Sequence, residues 1–163
     1  MIKVVLIDDE PLARSIVAEY LATYPEFEIM HQCNDGFEGV KSILHHQPDL
    51  IFLDIQMPKL SGFEMLELLD QKPSVIFTTA FDEYAMKAFE ANATDYLLKP
   101  FSKERFDKAI QKWLNARVAE QVTPITDEML ESVKYPEEQN SLAVFSNHLV
   151  ELVRTASTGI VAV

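Results

Sequence analysis

Residues 50–58 read LIFLDIQMP, an apolar run that ends in one carboxylate and meets a proline four residues later. A short apolar run bounded by turn signals predicts a strand that is buried on both faces. In an open parallel sheet, the carboxyl ends of the strands form the ligand crevice. Asp54 is therefore predicted to stand at such an end, where it either terminates the strand or has a function.

Four more apolar segments of this kind occur along the chain, and segments with helical spacing separate them. Strict alternation of strands and helices predicts a parallel sheet with helices on both faces, joined by right-handed crossovers. We therefore predict an α/β fold with a doubly wound five-stranded parallel sheet. Its strands are expected at residues 2–7, 27–33, 50–53, 74–79 and 95–98.

The sequence changes character near Val118, after which acidic residues outnumber basic ones. We predict one domain over residues 1–117 and a linker with a short helix over residues 118–140. Residues 141–163 contain three short strand-like runs separated by turn residues, which predicts a partial β-rich segment.

The composition excludes several classes of function. A formal net charge of −12 disfavours binding to a nucleic-acid backbone, which draws mainly on Lys and Arg. Hydrophobic residues make up 48% of the chain, enough for a core, but no apolar run approaches the roughly 20 residues that span a bilayer. We expect no membrane association and a cytoplasmic location.

Cysteine and histidine give little indication of a metal site. Cys33 is the single cysteine, so an intrachain disulfide and a paired-cysteine metal site are excluded. We interpret Cys33 as a small buried hydrophobe. The four histidines are not expected to act as ligands, because their spacing from acids and from Cys33 is unconvincing; they are His31, His45, His46 and His148.

Chemically complementary side chains follow four of the predicted strands. Asp8 and Asp9 follow the first strand, Asp54 the third, Thr79 closes the fourth and Lys99 follows the fifth. Carboxylates gathered at one edge repel one another unless a cation joins them, and oxygen ligands suit Mg²⁺. Singly, these residues also fit a helix-terminal charge, an ordinary strand residue and a solvated lysine. Together they fit phosphoryl chemistry, which needs a nucleophile, a metal and a cation.

These motifs resemble those of a response-regulator receiver domain, the phosphoacceptor half of two-component signalling. The resemblance covers about residues 1–117 and implies a receiver, or flavodoxin-like, fold. It also implies a signalling phosphoacceptor that promotes its own phosphotransfer and dephosphorylation, and not an enzyme. The motifs are LIDDEP at 6–11, LDIQMP at 53–58 with Gly62, TA at 79–80 and YLLKPF at 96–101.

The resemblance assigns a role to each matching residue. Asp54 would be phosphorylated, and Mg²⁺ would be held by Asp8 or Asp9 with Asp54. The backbone carbonyl of Gln56 would complete the protein ligands of the metal. The remaining roles are phosphoryl binding by Thr79 and Lys99, an aromatic switch at Tyr96, and a cis peptide bond between Lys99 and Pro100.

The resemblance also implies partners. A sensor histidine kinase would supply the phosphoryl group, and the chain would form a homodimer. The dimer surface would be the Asp82–Asn92 helix, the Asp95–Leu98 strand and the Ser102–Ala116 helix. Residues 79–101 are similar to receivers of LytTR-type transcription factors, so the β-rich segment is interpreted as the start of a DNA-binding output domain. DNA binding is expected only of a complete output domain, which these residues do not form.

Two other functions remain open from the sequence. The first is a phosphohydrolase of the haloacid-dehalogenase kind, which also places an aspartate at a strand end. Such enzymes carry a second acid two residues later, where this chain has Gln56. The second is an interaction module that works without phosphorylation, although such a module has no need for the acids at the strand ends.

Overall fold

The computed structural model describes residues 1–121, in which five strands alternate with five helices. Within this part of the chain, no helix is both long and apolar enough to cross a membrane. The strands are β1 (Ile2–Ile7), β2 (Phe27–Cys33), β3 (Leu50–Leu53), β4 (Ser74–Thr79) and β5 (Asp95–Leu98). The helices are α1 (Pro11–Leu21), α2 (Gly36–His46), α3 (Gly62–Glu67), α4 (Ala85–Glu90) and α5 (Lys103–Gln121).

All five strands form one parallel sheet in the order β2-β1-β3-β4-β5. The predicted doubly wound sheet is therefore confirmed. The strand order reverses between β1 and β3, and in such sheets the crevice at the reversal is where ligands bind. The residues that directly follow these two strands are Asp8 and Asp54.

Alternate residues of the central strands pack into two separate apolar layers. In β1, Val4 and Leu6 face the layer formed with α1 and α5, whereas Val5 and Ile7 face the layer formed with α2, α3 and α4. The strands at the centre of the sheet are buried on both faces, as expected for parallel strands. This packing gives the strand ends a rigid base.

Gly62 fixes the chain just after β3. A Cβ atom at this position would lie 2.4 Å from the backbone carbonyl oxygen of Asp54, so no larger residue fits without a backbone shift. The N–H of Gly62 donates to the Ile55 carbonyl at 2.9 Å. Ser61 and Glu64 cap the helix reciprocally, which anchors its start against the end of β3.

The fourth helix is shorter than the predicted Asp82–Asn92 helix. No side chain caps its start at Tyr84, and the Ala85 N–H bonds to the Asp82 carbonyl in a turn that precedes the helix. At its other end, Asn92 has a φ of 55°, a left-handed conformation that stops the helix and that asparagine tolerates.

The last helix is longer than the predicted Ser102–Ala116 helix. The Ser102 hydroxyl accepts a hydrogen bond from the Arg105 N–H at 3.2 Å, as expected of an N-cap. The helix then runs to Gln121, because no glycine or proline interrupts it after Ala116 and Arg117 forms an ion pair with Asp49 at 2.9 Å. The predicted domain boundary at residues 117 and 118 therefore falls inside α5. The predicted β-rich segment and the rest of the linker lie outside the described residues.

Candidate functional site

The strand ends bring the predicted site residues to one edge of the sheet. Asp8 directly follows β1, and the backbone N–H of Asp54 donates to the Ile7 carbonyl at 2.9 Å. Across the edge, the Lys99 N–H donates to the Thr79 carbonyl at 2.7 Å. Ladder hydrogen bonds therefore hold the ends of β1, β3, β4 and β5 in a fixed arrangement.

Three carboxylates meet at this edge around one ammonium group. Asp8, Glu10 and Asp54 each offer an oxygen within 4.8 Å of the others, and we call these three residues the acidic cluster. The Lys99 Nζ lies 2.7 Å from Asp8 Oδ2, 3.1 Å from Glu10 Oε1 and 3.5 Å from Asp54 Oδ2. Asp8 and Asp54 are buried, at 4% and 5% exposed, so water screens their charges poorly.

Glu10 is the member of the acidic cluster that the sequence prediction did not include. The cluster contains Glu10 in the position where Asp9 was considered, whereas Asp9 lines a neighbouring cleft. The chain leaves β1 in an extended conformation, with Glu10 at φ −86° and ψ 111°. The chain bends at Asp9, and the Glu10 N–H donates to Asp8 Oδ1 at 2.9 Å, so this local turn brings the Glu10 side chain to the same side as Asp8.

Burial and charge shift the acid–base behaviour of the site. Burial raises the pKa of Asp8 to about 6, against the opposing effect of hydrogen bonds from Lys99 and the Glu10 N–H. Burial likewise raises the pKa of Asp54, and the Lys99 charge opposes the rise. Burial disfavours the Lys99 ammonium, but its contacts with Asp8 and Asp54 outweigh burial and raise its pKa.

The acidic cluster fits a hard divalent cation. Its three carboxylates carry up to three negative charges, and the contacting Lys99 supplies one positive charge. The remaining negative charge is concentrated on oxygen atoms, which are the ligands that Mg²⁺ takes in proteins. Burial raises the pKa of both Asp8 and Asp54, so a cation beside them would favour their ionised forms.

Three other predicted features follow the same strand ends or lie on the neighbouring strand β5. Thr79 is fully buried, and its hydroxyl makes no hydrogen bond of normal geometry to the described residues, although it is close enough to Asp54 to lower the pKa of that carboxyl. The Tyr96 ring is half-buried, and its hydroxyl donates to the Phe81 carbonyl. The peptide bond between Lys99 and Pro100 is cis, the geometry that the resemblance implies.

An open cleft of about 550 Å³ adjoins the acidic cluster. Asp9, Gln56, Tyr84 and Lys87 are among its lining residues. The Gln56 side-chain amide donates to the Tyr84 hydroxyl at 3.0 Å, while the Gln56 backbone N–H points to Asp54 Oδ1 at 3.4 Å. The cleft therefore reaches the segment that directly follows Asp54.

We expect Mg²⁺ to raise the melting temperature of the chain more at about pH 7.5 than at about pH 5. The pKa of Asp8 is about 6 in the folded chain and 3.8 ordinarily, so the folded state holds more protons between these values. Without Mg²⁺, this carboxyl therefore makes the chain less stable as the pH rises from 3.8 to about 6. Above that range the ionised carboxylate would be available to bind the cation, whereas below it protons would compete.

Thermal unfolding with and without Mg²⁺ at both pH values measures this effect. Matched solutions containing a monovalent salt at equal ionic strength control for general screening. An equal rise in melting temperature at the two pH values would contradict the assignment of Mg²⁺ to these carboxylates.

The comparison with protein families matches residues 4–111 to the response regulator receiver domain. Among curated relatives, an uncharacterized response regulatory protein of Vibrio cholerae is 44% identical over 82% of this chain and 57% of its own length. The transcriptional regulatory protein BtsR of Escherichia coli K12 is 45% identical over 76% of this chain and 52% of its own length. The chain thus spans about half the length of these relatives.

Solved structures show the same fold. The response regulatory domain of protein mrkE from Klebsiella pneumoniae is 36% identical, with a TM-score of 0.65, and the match covers 71% of this chain and 97% of that one. The REC domain of AraT, a response regulator from Geobacillus stearothermophilus, is 30% identical, with a TM-score of 0.67 and coverage of 73% and 97%. The matched family, the fold and the acidic cluster at the strand ends lead to one conclusion: the chain belongs to the response regulator receiver family.

Proposed function

We propose that the chain accepts a phosphoryl group on Asp54 and thereby switches its surface for signalling. The observation that carries this proposal is the position of Asp54. Its carboxyl is buried at the end of β3, beside two other acids and 3.5 Å from the Lys99 ammonium. A buried carboxylate is costly unless nearby charge offsets its own, and positive charge beside Asp54 would also stabilise a phosphoryl group attached to it.

In the proposed step, an oxygen of the Asp54 carboxylate attacks the phosphorus of a phosphohistidine on a sensor kinase. A new O–P bond forms as the P–N bond breaks, and the histidine keeps the electron pair and takes up a proton. The product is an acyl phosphate. The open cleft beside Gln56 gives a donor access to this region.

Asp8, Glu10 and Asp54 would hold Mg²⁺, with Asp9 and the Gln56 backbone carbonyl as further candidate ligands. When bound, Mg²⁺ would offset the charge of the carboxylates and of the phosphoryl oxygens. The chain's own residues then have distinct tasks. The Lys99 ammonium would contact the phosphoryl oxygens, and the Thr79 hydroxyl, which has no hydrogen-bond partner among residues 1–121, would donate to one of them.

The direct test is intact mass spectrometry of the chain after incubation with acetyl phosphate and Mg²⁺. We expect a gain of one phosphoryl group per chain, which EDTA prevents. Absence of the adduct, together with failure to bind beryllofluoride, would favour a phosphorylation-independent interaction module. Steady turnover of phosphomonoesters would instead favour a phosphohydrolase, although the Gln56 position, two residues after Asp54, carries an amide bound to Tyr84.

Phosphorylation would act through the surface formed by α4, β5 and α5, which we propose as a homodimer interface. Movement of Thr79 toward the phosphoryl group would leave space that Tyr96 fills, and would break the hydrogen bond from Tyr96 to the Phe81 carbonyl. Large apolar side chains are exposed on this surface at Met86, Phe89 and Leu98, at 72%, 79% and 44%. Exposed apolar groups of this size favour burial against a partner.

The downstream effect is proposed to be transcriptional. BtsR is named a transcriptional regulatory protein, and this chain covers about half of it. We propose that the segment after α5 connects the receiver to a DNA-binding output of the LytTR type.

Replacing Phe89 with Glu is expected to prevent the dimer that forms on activation, because a charge would be buried in the apolar interface. Light scattering during size-exclusion chromatography, with beryllofluoride and Mg²⁺ present, measures the mass of the particle. Leu44→Glu is the matched control, since Leu44 is 67% exposed on α2, away from the proposed interface. Dimerisation of Phe89→Glu equal to that of Leu44→Glu would contradict this interface.

A further inference from the structure

A β-bulge in strand β2 changes which side of the sheet its later residues face. Ile29 pairs with Val4 and His31 pairs with Val5, so Met30 is an extra residue. Ile29 packs in the layer with α1 and α5, and strict alternation would direct His31 to the same layer. The bulge reverses this phase and directs His31 toward α2. Bulges often re-aim side chains near functional sites.

The reversed phase brings together three side chains of different metal-binding types. His31 and Cys33 lie two residues apart on β2, and Glu38 stands on the first turn of α2. The imidazole nitrogen, the thiol sulfur and a carboxylate oxygen all lie within 4.8 Å of one another. The spacing of the histidines in the sequence did not predict this proximity for His31, because it depends on the bulge.

Neighbouring groups already orient these three side chains. The second carboxylate oxygen of Glu38 accepts the Asn34 N–H at 2.8 Å, while the first lies 3.0 Å from His31 Nε2. The His46 ring stacks on the His31 ring with centroids 6.1 Å apart. Fixed orientation of ligand side chains by such partners is a regular feature of metal sites.

The buried hydroxyl of Ser42 is a second indication of a ligand near Cys33. Ser42 is only 5% exposed, and its hydroxyl makes no hydrogen bond of normal geometry to the described residues. It lies close to Cys33, whose pKa burial raises to about 11 while Ser42 works against the rise. A polar group buried in this way is costly unless something polar completes its surroundings, and a thiolate on a bound cation does so.

We propose that His31, Cys33 and Glu38 bind a divalent transition-metal ion of the Zn²⁺ class. Zn²⁺ takes thiolate, imidazole and carboxylate ligands together, and three protein ligands leave a fourth position for water. The cysteine thiol releases its proton to solvent as the metal–sulfur bond forms. The site differs in chemistry from the acidic cluster, whose ligands are all oxygen atoms and suit Mg²⁺.

Cobalt provides a sharp test, because Co²⁺ bound to a thiolate absorbs in the near ultraviolet through sulfur-to-metal charge transfer. The chain has a single cysteine, so this band reports on Cys33 wherever else cobalt binds. We expect the reduced 163-residue chain, titrated with Co²⁺ in excess Mg²⁺, to develop the band at one ion per chain. Added Zn²⁺ should remove it.

Variants identify the other ligands. Cys33→Ser should abolish the band, and the surface replacements His31→Gln and Glu38→Gln should each weaken Co²⁺ binding by roughly tenfold or more. His45→Gln, an exposed neighbour on α2, and Asp54→Asn in the acidic cluster should leave the band unchanged. Absence of the band from the folded wild-type chain would overturn the proposal. The proposal would also be overturned if His31→Gln and Glu38→Gln both bound Co²⁺ as tightly as wild type, as judged from this band. That outcome can be read even if Cys33→Ser fails to fold.

Discussion

The Asp54→Asn variant is expected to take up the phosphoryl group from acetyl phosphate and Mg²⁺ at a rate lower than that of wild type by about a hundredfold or more. An amide oxygen is a poor nucleophile, and it cannot form the acyl phosphate that the proposed mechanism requires. Intact mass spectrometry over a time course measures the rate.

Loss of the fold does not explain this result, because Asp54→Asn is expected to be more stable than wild type without Mg²⁺ at neutral pH. Burial raises the pKa of Asp54, so the ionised carboxylate is less favourable in the folded chain than in the unfolded one. A neutral amide removes that cost and also the repulsion that helps to raise the pKa of Asp8. Chemical denaturation with EDTA present measures the difference.

The matched control is Asp70→Asn, which changes an exposed aspartate just after α3 in the same way. We expect it to take up the phosphoryl group at the wild-type rate and to leave stability unchanged. Equal phosphorylation of Asp54→Asn and Asp70→Asn would contradict the assignment of the acceptor.

The Lys99→Met variant is expected to bind Mg²⁺ roughly tenfold more tightly than wild type, a gain of about 1.4 kcal/mol. The Lys99 ammonium lies within 3.5 Å of an oxygen on each of the three carboxylates, so it competes with the metal for their negative charge. Without the metal, the same variant should be less stable at neutral pH by about 3 kcal/mol, because buried carboxylates lose their ion-pair partner.

The switch should fail in Lys99→Met even though metal binding improves. Asp54 should still accept the phosphoryl group. The chain should no longer form the dimer on activation, because it lacks the ammonium that would contact the phosphoryl oxygens. Lys72→Met, at an exposed position before β4, is the control for the loss of one positive charge. Weaker or unchanged Mg²⁺ affinity in Lys99→Met, relative to Lys72→Met, would contradict the proposed competition.

Much of the site could be predicted from the sequence because parallel strands place their ends at one edge. The apolar run before Asp54 gives a strand, and the same pattern before Asp8 and Lys99 gives the other ends. Once the strands are parallel, the residues that follow them lie at the same edge of the sheet. Glu10 was missed because the turn that places it beside Asp8, with a bend at Asp9 and a hydrogen bond from the Glu10 N–H to Asp8, does not follow from strand alternation.

Other features depend on packing and backbone geometry that residue patterns do not show. The length of α4 is set by the left-handed Asn92 and by an uncapped start at Tyr84. The bulge at Met30 is not visible in the alternation of β2, because exposed and apolar residues mix in that edge strand. The contact between His31 and Glu38 depends on that bulge, so it could be found only from the structure.

Chemical trapping of the phosphorylated residue identifies the acceptor. Sodium borohydride reduces an aspartyl phosphate to homoserine, which peptide mass spectrometry locates after digestion of the chain. Following incubation with acetyl phosphate and Mg²⁺, we predict homoserine at position 54. Reduction at Asp8, Asp9 or Glu10 instead, or an adduct that leaves position 54 unchanged, would contradict the proposal that the buried carboxylate at the end of β3 receives the phosphoryl group.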